Sequence, residues 1–203
     1  MDRSRIHELH YITDLANIAS ILDLGILSCR EVSRRGIPHV TIANKDLRDQ
    51  QRAKRVWDAR TGRARSLLEY TNLYFDARNA MLFERLVNQQ GDLAVIAVAA
   101  AVLDLDGVLV ADRNAAAFAT FQPPEEAIPR LDAKAVFARS WDSWDAKQRR
   151  QAEVLVPTQV PPEFLLRAYL PDPAAKHRLR SLLGDRQLKL LVNRDLFFSL
   201  GES

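Results

Sequence analysis

The sequence predicts an α+β fold, and three observations carry that prediction. Its apolar runs are short and rich in β-branched residues. Helix-like stretches fall between them without the strict alternation of a parallel βαβ chain. Glycines stand where helices should stop. Hydrophobic residues make up 47% of the 203 and charged residues 27%, enough apolar material to pack one core, so a single domain over 1–203 is expected. The lone Cys29 excludes an internal disulfide framework and a multi-thiolate zinc site. The opening Met1 to Ile6 alternates charge and polarity with no signal-like apolar stretch, and a cytoplasmic protein is expected. Leu93 to Leu103, the longest apolar run, has eleven residues where about 20 are needed to span a bilayer, so no membrane partner is expected.

In chain order, His10-Tyr11-Ile12 reads as a strand. Thr13 is a fit N-cap for a helix from Asp14 to Leu24, whose Leu15, Ile18, Ile21 and Leu22 share a face, and Gly25 supplies the stop. Ser28 caps a second helix over Arg30 to Arg35, ended by Gly36, and Pro38 to Ile42 follows as a strand. Asp46 to Trp57 reads as a charged helix or ordered loop and Thr61 to Arg65 as a basic loop. Leu73 to Phe75 is strand-like. Ala80 to Gln89 is helical, with Met81, Leu82, Phe83 and Leu86 apolar, and Gly91 closes it before the Leu93 to Leu103 core strand. Further strands are expected at Val108 to Ala111, Val154 to Val156, Phe164 to Leu170 and Leu188 to Val192, with Pro171 to Pro173 as a turn.

Net charge is only +3, but Arg30 to Arg65 holds eleven Lys or Arg against four acidic residues. A local basic surface of that kind suits phosphate-bearing ligands, and it equally suits a solvated helical face. Several chemistries are excluded. The seven glycines are too dispersed to form a Walker loop or a dinucleotide fingerprint. His7 and His10 are three apart beside a strand, where a zincin helix needs them four apart, and His39 and His177 have no ligand spacing, so no metal is expected.

The remaining signal is a set of strings in fixed order. His10-Tyr11-Ile12-Thr13-Asp14-Leu15-Ala16-Asn17-Ile18, then Ser20 to Ser28, resembles the strand-helix-glycine entry of the DarT family of DNA ADP-ribosyltransferase toxins. Arg34-Arg35-Gly36-Ile37 with Ile42 and the basic string Gln51-Arg52-Ala53-Lys54-Arg55-Val56 continue the likeness. So do Tyr74-Phe75-Asp76-Ala77-Arg78-Asn79-Ala80-Met81-Leu82-Phe83 and Gln151-Ala152-Glu153-Val154-Leu155-Val156. The resemblance runs over roughly residues 8 to 170.

That resemblance implies an ADP-ribosyltransferase fold, a split β-sandwich with peripheral helices and NAD as co-substrate in its cleft. The implied reaction transfers ADP-ribose to a thymine or guanine of single-stranded DNA and releases nicotinamide. It implies Glu153 as the carboxylate that favours the cationic ribose and Arg52 as the guanidinium that activates the target base, both catalytic. A glutamate at a strand edge is otherwise commonly solvent-facing. The implied NAD contacts are His10, Tyr11, Thr13, Asn17, Tyr74 and Met81. Where the family shows an aromatic-His-aliphatic-Thr-His string this chain has His10 to Asp14, so either His10 or Tyr11 takes the histidine's place. Arg48, Lys54, Arg55 and Arg78 are candidates for nucleic-acid binding. So are Trp141, Trp144, Arg149 and Arg150 in the segment before Glu153, where rings interleave with cations, although tryptophans three apart also suit the inner face of a helix. The expected partners are single-stranded DNA and a macrodomain antitoxin that removes the adduct. The alternatives are transfer to RNA or protein, and a nucleic-acid-binding module without catalysis.

Overall fold

A computed structural model describes residues 1–42, 54–58, 62–88 and 91–198. The strand β1 (Glu8–Asp14) leads through a 3₁₀ turn into α1 (Ile18–Leu24), β2 (Ile26–Leu27) and α2 (Cys29–Arg35). The hairpin β3 (Arg55–Asp58) and β4 (Arg63–Ser66) precedes β5 (Tyr70–Tyr74), α3 (Ala80–Val87) and β6 (Leu93–Ala99). Then come β7 (Leu109–Ala111), β8 (Phe121–Gln122), α4 (Pro124–Ala127), α5 (Ala133–Val136) and α6 (Trp144–Arg149). The chain closes with β9 (Glu153–Pro157), β10 (Gln159–Val160), β11 (Leu165–Leu170), α7 (Pro173–Leu183) and β12 (Leu190–Val192).

Eight strands form one sheet in the order β12-β11-β6-β1-β5-β9-β7-β8, antiparallel except where β11 meets β12. The sheet is nearly two. β1 pairs with β6 along its whole length and β5 with β9 along its whole length, but β1 and β5 meet at the single pair His10–Tyr74. Beyond that pair no ladder joins β1 to β5, the near-division of the sheet that a split β-sandwich implies. The two-stranded ribbon β2–β10 lies against β5, where the Thr71 hydroxyl donates to the Ile26 carbonyl at 3.0 Å. Gly25 permits this closeness: its φ is +78°, and a Cβ there would lie 2.2 Å from the Val160 carbonyl oxygen.

One sheet face carries the main core, in which Ile18 and Ile21 of α1 and Leu179 and Leu183 of α7 cover Ala94, Ile96, Val98 and Leu170. On the other face α3 and Phe197 cover Ile12, Tyr74 and Val95, and the β3–β4 hairpin covers Leu109 and Leu155 through Val56 and Leu67. No helix among the described residues is long and apolar enough to cross a membrane.

Several elements depart from the sequence reading. The cap of the first turn is Asp14, whose carboxylate accepts from the Ala16 amide at 2.9 Å, because β1 runs on through Thr13. Leu93 to Leu103 is strand only to Ala99 and then winds into a 3₁₀ segment. Pro38 to Ile42 forms no strand; its Val40 is instead bound by Asn17, which donates to the Val40 carbonyl at 2.9 Å and accepts from its amide at 2.8 Å. Part of the supposed charged helix and basic loop is the β3–β4 hairpin, while residues 43–53 lie outside the described residues. The Pro171 to Pro173 turn opens a helix: Asp172 caps α7 through the Ala175 amide at 2.8 Å, with Pro173 in its first turn.

Candidate active site

Glu153 opens β9, paired with Tyr74 on β5 and Ala111 on β7, and is only 3% exposed. Its Oε1 accepts from the Ala115 backbone amide at 3.1 Å and its Oε2 from the Asn72 side-chain amide. Asn72 precedes Tyr74 by two positions, so the strand period sets both on the glutamate's face. Burial raises the carboxyl's pKa to about 7, against the opposing pull of the Asn72 and Ala115 donors and of the Lys54 ammonium. Lys54 is itself depressed by burial and is drawn back up by Glu153 and Asp112; its ammonium donates to the Ala117 carbonyl and lies 5.1 Å from the centroid of the Phe121 ring. A carboxylate poised to ionise near neutrality, held by neutral donors with a cation nearby, is suited to stabilising positive charge that develops on a bound substrate.

A cavity of about 140 Å³ lies between β1, α1, β2 and α2. Tyr11 and Thr13 of β1 project into it, Asn17 and Ser20 line one wall, Ile26 and Val32 another, and residues 37–42 close it. Asn17 holds this arrangement together, since its amide donates to the Thr13 hydroxyl at 3.1 Å as well as binding Val40. An apolar wall facing hydroxyl and amide groups suits one end of a ligand that is apolar on one side and polar on the other. Tyr74 stands between the two regions: its hydroxyl is pushed well above the ordinary tyrosine range by burial and by the neighbouring Glu153 and Tyr11.

Tyr11, Thr13 and Asn17 line the cavity, whereas Tyr74 and Glu153 are cross-strand neighbours on the sheet face that His10 shares, with Tyr74 close enough to both Tyr11 and Glu153 to feel their charge. His10 points to the opposite face of β1, where its Nε2 lies 3.3 Å from Glu8 and its ring faces Tyr169. Tyr11, and not His10, therefore lines the cavity. Met81 is absent from the cavity wall and accepts from the Tyr74 hydroxyl at 3.7 Å. Arg52 and Arg48 lie outside the described residues.

Among the nucleic-acid candidates, Arg150 is corrected. It is 2% exposed, and its guanidinium is spent on the Val136 carbonyl and on Asp76 at 3.1 Å, which rules out a contact with DNA. Arg78 donates to the carbonyls of Asp195 and Phe197 and lies 4.4 Å from the Phe198 ring centroid. Trp141 packs edge-on against Phe83 and Phe198. These two residues hold the C-terminal segment against α3. Trp144 is 66% exposed, and Arg149 and Arg55 are exposed, as a binding surface requires. Lys54 belongs beside the carboxylate. The sequence reading missed Asn72 and the Ala115 amide, which become visible only once β5 and β7 are in register with β9.

A protein-family model described as "DarT: ssDNA thymidine ADP-ribosyltransferase, DarT" matches residues 10–198. A curated protein of Thermosipho africanus (strain H17ap60334), a "DNA ADP-ribosyl transferase-DNA ADP-ribosyl glycohydrolase fusion protein", is 30% identical over 200 residues, covering 96% of this chain and 50% of that protein. The chain thus spans about half the length of that relative. Among solved structures, Thermosipho africanus DarTG in complex with ADP-ribose superposes with a TM-score of 0.83 at 29% identity, covering 95% of this chain and 51% of that one. Thermus sp. 2.9 DarT in complex with ADP-ribosylated ssDNA gives a TM-score of 0.83 at 20% identity over 95% of this chain and 97% of that one, a likeness of fold.

Proposed function

The chain belongs to the DarT family, and from that membership and the cleft just described we propose that it transfers ADP-ribose from NAD to thymidine in single-stranded DNA. The observation that carries the reading is Glu153: a buried carboxylate at the start of β9, held by Asn72 and Ala115 and adjoining Tyr74, whose hydroxyl also feels Tyr11 of the cavity wall.

In this reading Tyr11, Thr13 and Asn17 bind one end of NAD. The bond between nicotinamide and the ribose anomeric carbon breaks, and its electron pair leaves with neutral nicotinamide. The ribose then carries positive charge, which the Glu153 carboxylate stabilises, ideally through the adjacent ribose hydroxyl. Thymidine has one ring nitrogen free of sugar, N3. That nitrogen forms the new bond and gives up its proton to solvent. Arg52, which precedes Lys54 by two positions, is the guanidinium assigned to favour this loss; with a pKa above about 12 it acts by its charge and not as a base. Trp144, Arg149 and Arg55 supply stacking and backbone contacts to the DNA. The glycohydrolase half of the Thermosipho relative supports a reversing partner, here an antitoxin with a macrodomain.

The test is incubation with labelled NAD and two single-stranded oligonucleotides, one containing thymidine and one lacking it. Mass spectrometry of the digest should find ADP-ribose on thymine alone, and Glu153→Gln should lower the rate at least ~100-fold. Label on protein or RNA only, or DNA binding without NAD consumption, would replace the assignment.

A further inference from the structure

Phe118 is 98% exposed, the most exposed of the large hydrophobic side chains among the described residues. It lies near the tip of the β7–β8 connection, and that loop is rigidly built. Asp112 and Thr120 close its base by two hydrogen bonds, Thr120 N–H to the Asp112 carboxylate at 2.9 Å and Asp112 N–H to the Thr120 carbonyl at 3.3 Å. Asn114 donates its amide to the Gln148 carbonyl at 3.0 Å, fixing the loop to α6. Lys54 grips the carbonyl of Ala117, the residue immediately before Phe118. Three residues earlier, the Ala115 amide touches Glu153, so the chain between the two positions spans at most about 11 Å.

The loop therefore spends many hydrogen bonds to present an aromatic ring to solvent within one or two nucleotide lengths of the reacting carboxylate. The surface that continues from it is basic and aromatic. β3 packs beside β8, and its outward residues are Arg55 and Trp57, the latter 60% exposed, with Ala64 opposite Trp57 on β4. Rings interleaved with cations are the arrangement that binds single-stranded nucleic acid, because every base offers a flat face and every linkage a negative charge. A protein partner would instead be met by a broader apolar patch, and here the residues flanking Phe118 are alanines.

We propose that Phe118 is a stacking platform for the nucleobase adjoining the target thymidine, with the strand leaving over Lys54 and Arg55. This rests on the assignment of the acceptor as single-stranded DNA. The platform selects for an unpaired neighbour, since a base in a duplex has no free face to offer, and it holds the target against recoil while the ribose is attacked.

The experiment uses the full chain, NAD and oligonucleotides with one thymidine, either intact or with an abasic residue immediately 5′ or 3′ to it. Phe118→Ala is expected to raise the oligonucleotide KM ~10- to 100-fold, and Phe118→Trp to restore it. In wild type one of the two abasic oligonucleotides should show the same rise, and Phe118→Ala should be insensitive to that change, as coupling between the two demands. The side chain is exposed, so the Tm of both variants should match wild type. If wild type modifies DNA but Phe118→Ala leaves KM unchanged, or remains as sensitive as wild type to both abasic sites, the platform is refuted while the enzyme assignment stands. A Phe118→Ala defect confined to binding of a protein partner also refutes it. Failure of wild type to modify any oligonucleotide refutes the underlying assignment instead.

Discussion

Two charged side chains only three residues apart, Arg150 and Glu153, are both buried, and the molecule treats them in opposite ways. The turn that ends α6 gives Arg150 a carbonyl from Val136 and an opposite charge in Asp76, which offsets part of the burial that lowers its pKa. The first residue of β9 receives two neutral donors and a cation that is bonded elsewhere. Paired with an opposite charge, though burial still depresses its pKa, a buried guanidinium holds α5, α6 and the turn after β5 in place. Left without such a pair, a buried carboxylate strains its own ionisation, and that is the condition under which a substrate can compensate it.

Removing Arg150 should have the largest effect. Arg150→Met leaves Asp76 without its cation and should cost about 3–5 kcal/mol in chemical denaturation, with part recovered by adding Asp76→Asn. Equal stability of wild type and Arg150→Met would erase the distinction between the two sites. Glu153→Gln should act in the other direction on stability. The folded pKa of about 7 exceeds the unfolded value of 4.5, so the folded state binds the extra proton between them and wild type loses stability as pH rises through that window. Glutamine escapes this loss. The variant should match wild type near pH 4 and exceed it by up to about 3 kcal/mol at pH 8, read from denaturant midpoints at each pH. Asn72→Ala should have the smallest effect, removing one of the donors that favour the ionised carboxylate; it should move the acid limb of the rate profile to higher pH and leave folding cooperative.

Much of the architecture was legible because local signals agreed with one another. Gly25, the Ser28 cap and Gly36 bound α1 and α2, and the apolar run from Leu93 marks the central strand. The β3–β4 hairpin was not legible. Only Val56 of Arg55 to Trp57 is buried, so charge obscured its alternation. Helix α7 was hidden by a proline read as a turn when it stood in the first helical turn. Glu153 was found through a string of residues resembling a family, while its partners Asn72, Lys54 and Ala115 come from three separate stretches that converge only in the folded sheet. The choice between His10 and Tyr11 was likewise undecidable from the string, because adjacent residues of a strand face opposite sides and only the sheet determines which side holds the cavity.

The central claim is that Glu153 is buried without full compensation and must ionise to work. The most direct measurement is the pH dependence of kcat/KM for ADP-ribosylation of a thymidine oligonucleotide by wild type. Activity should fall as pH drops through about 7, tenfold per pH unit below it, following protonation of that carboxyl. A profile that stays flat down to pH 5 would mean that Glu153 ionises like any exposed glutamate, and the account given of the cleft would be wrong.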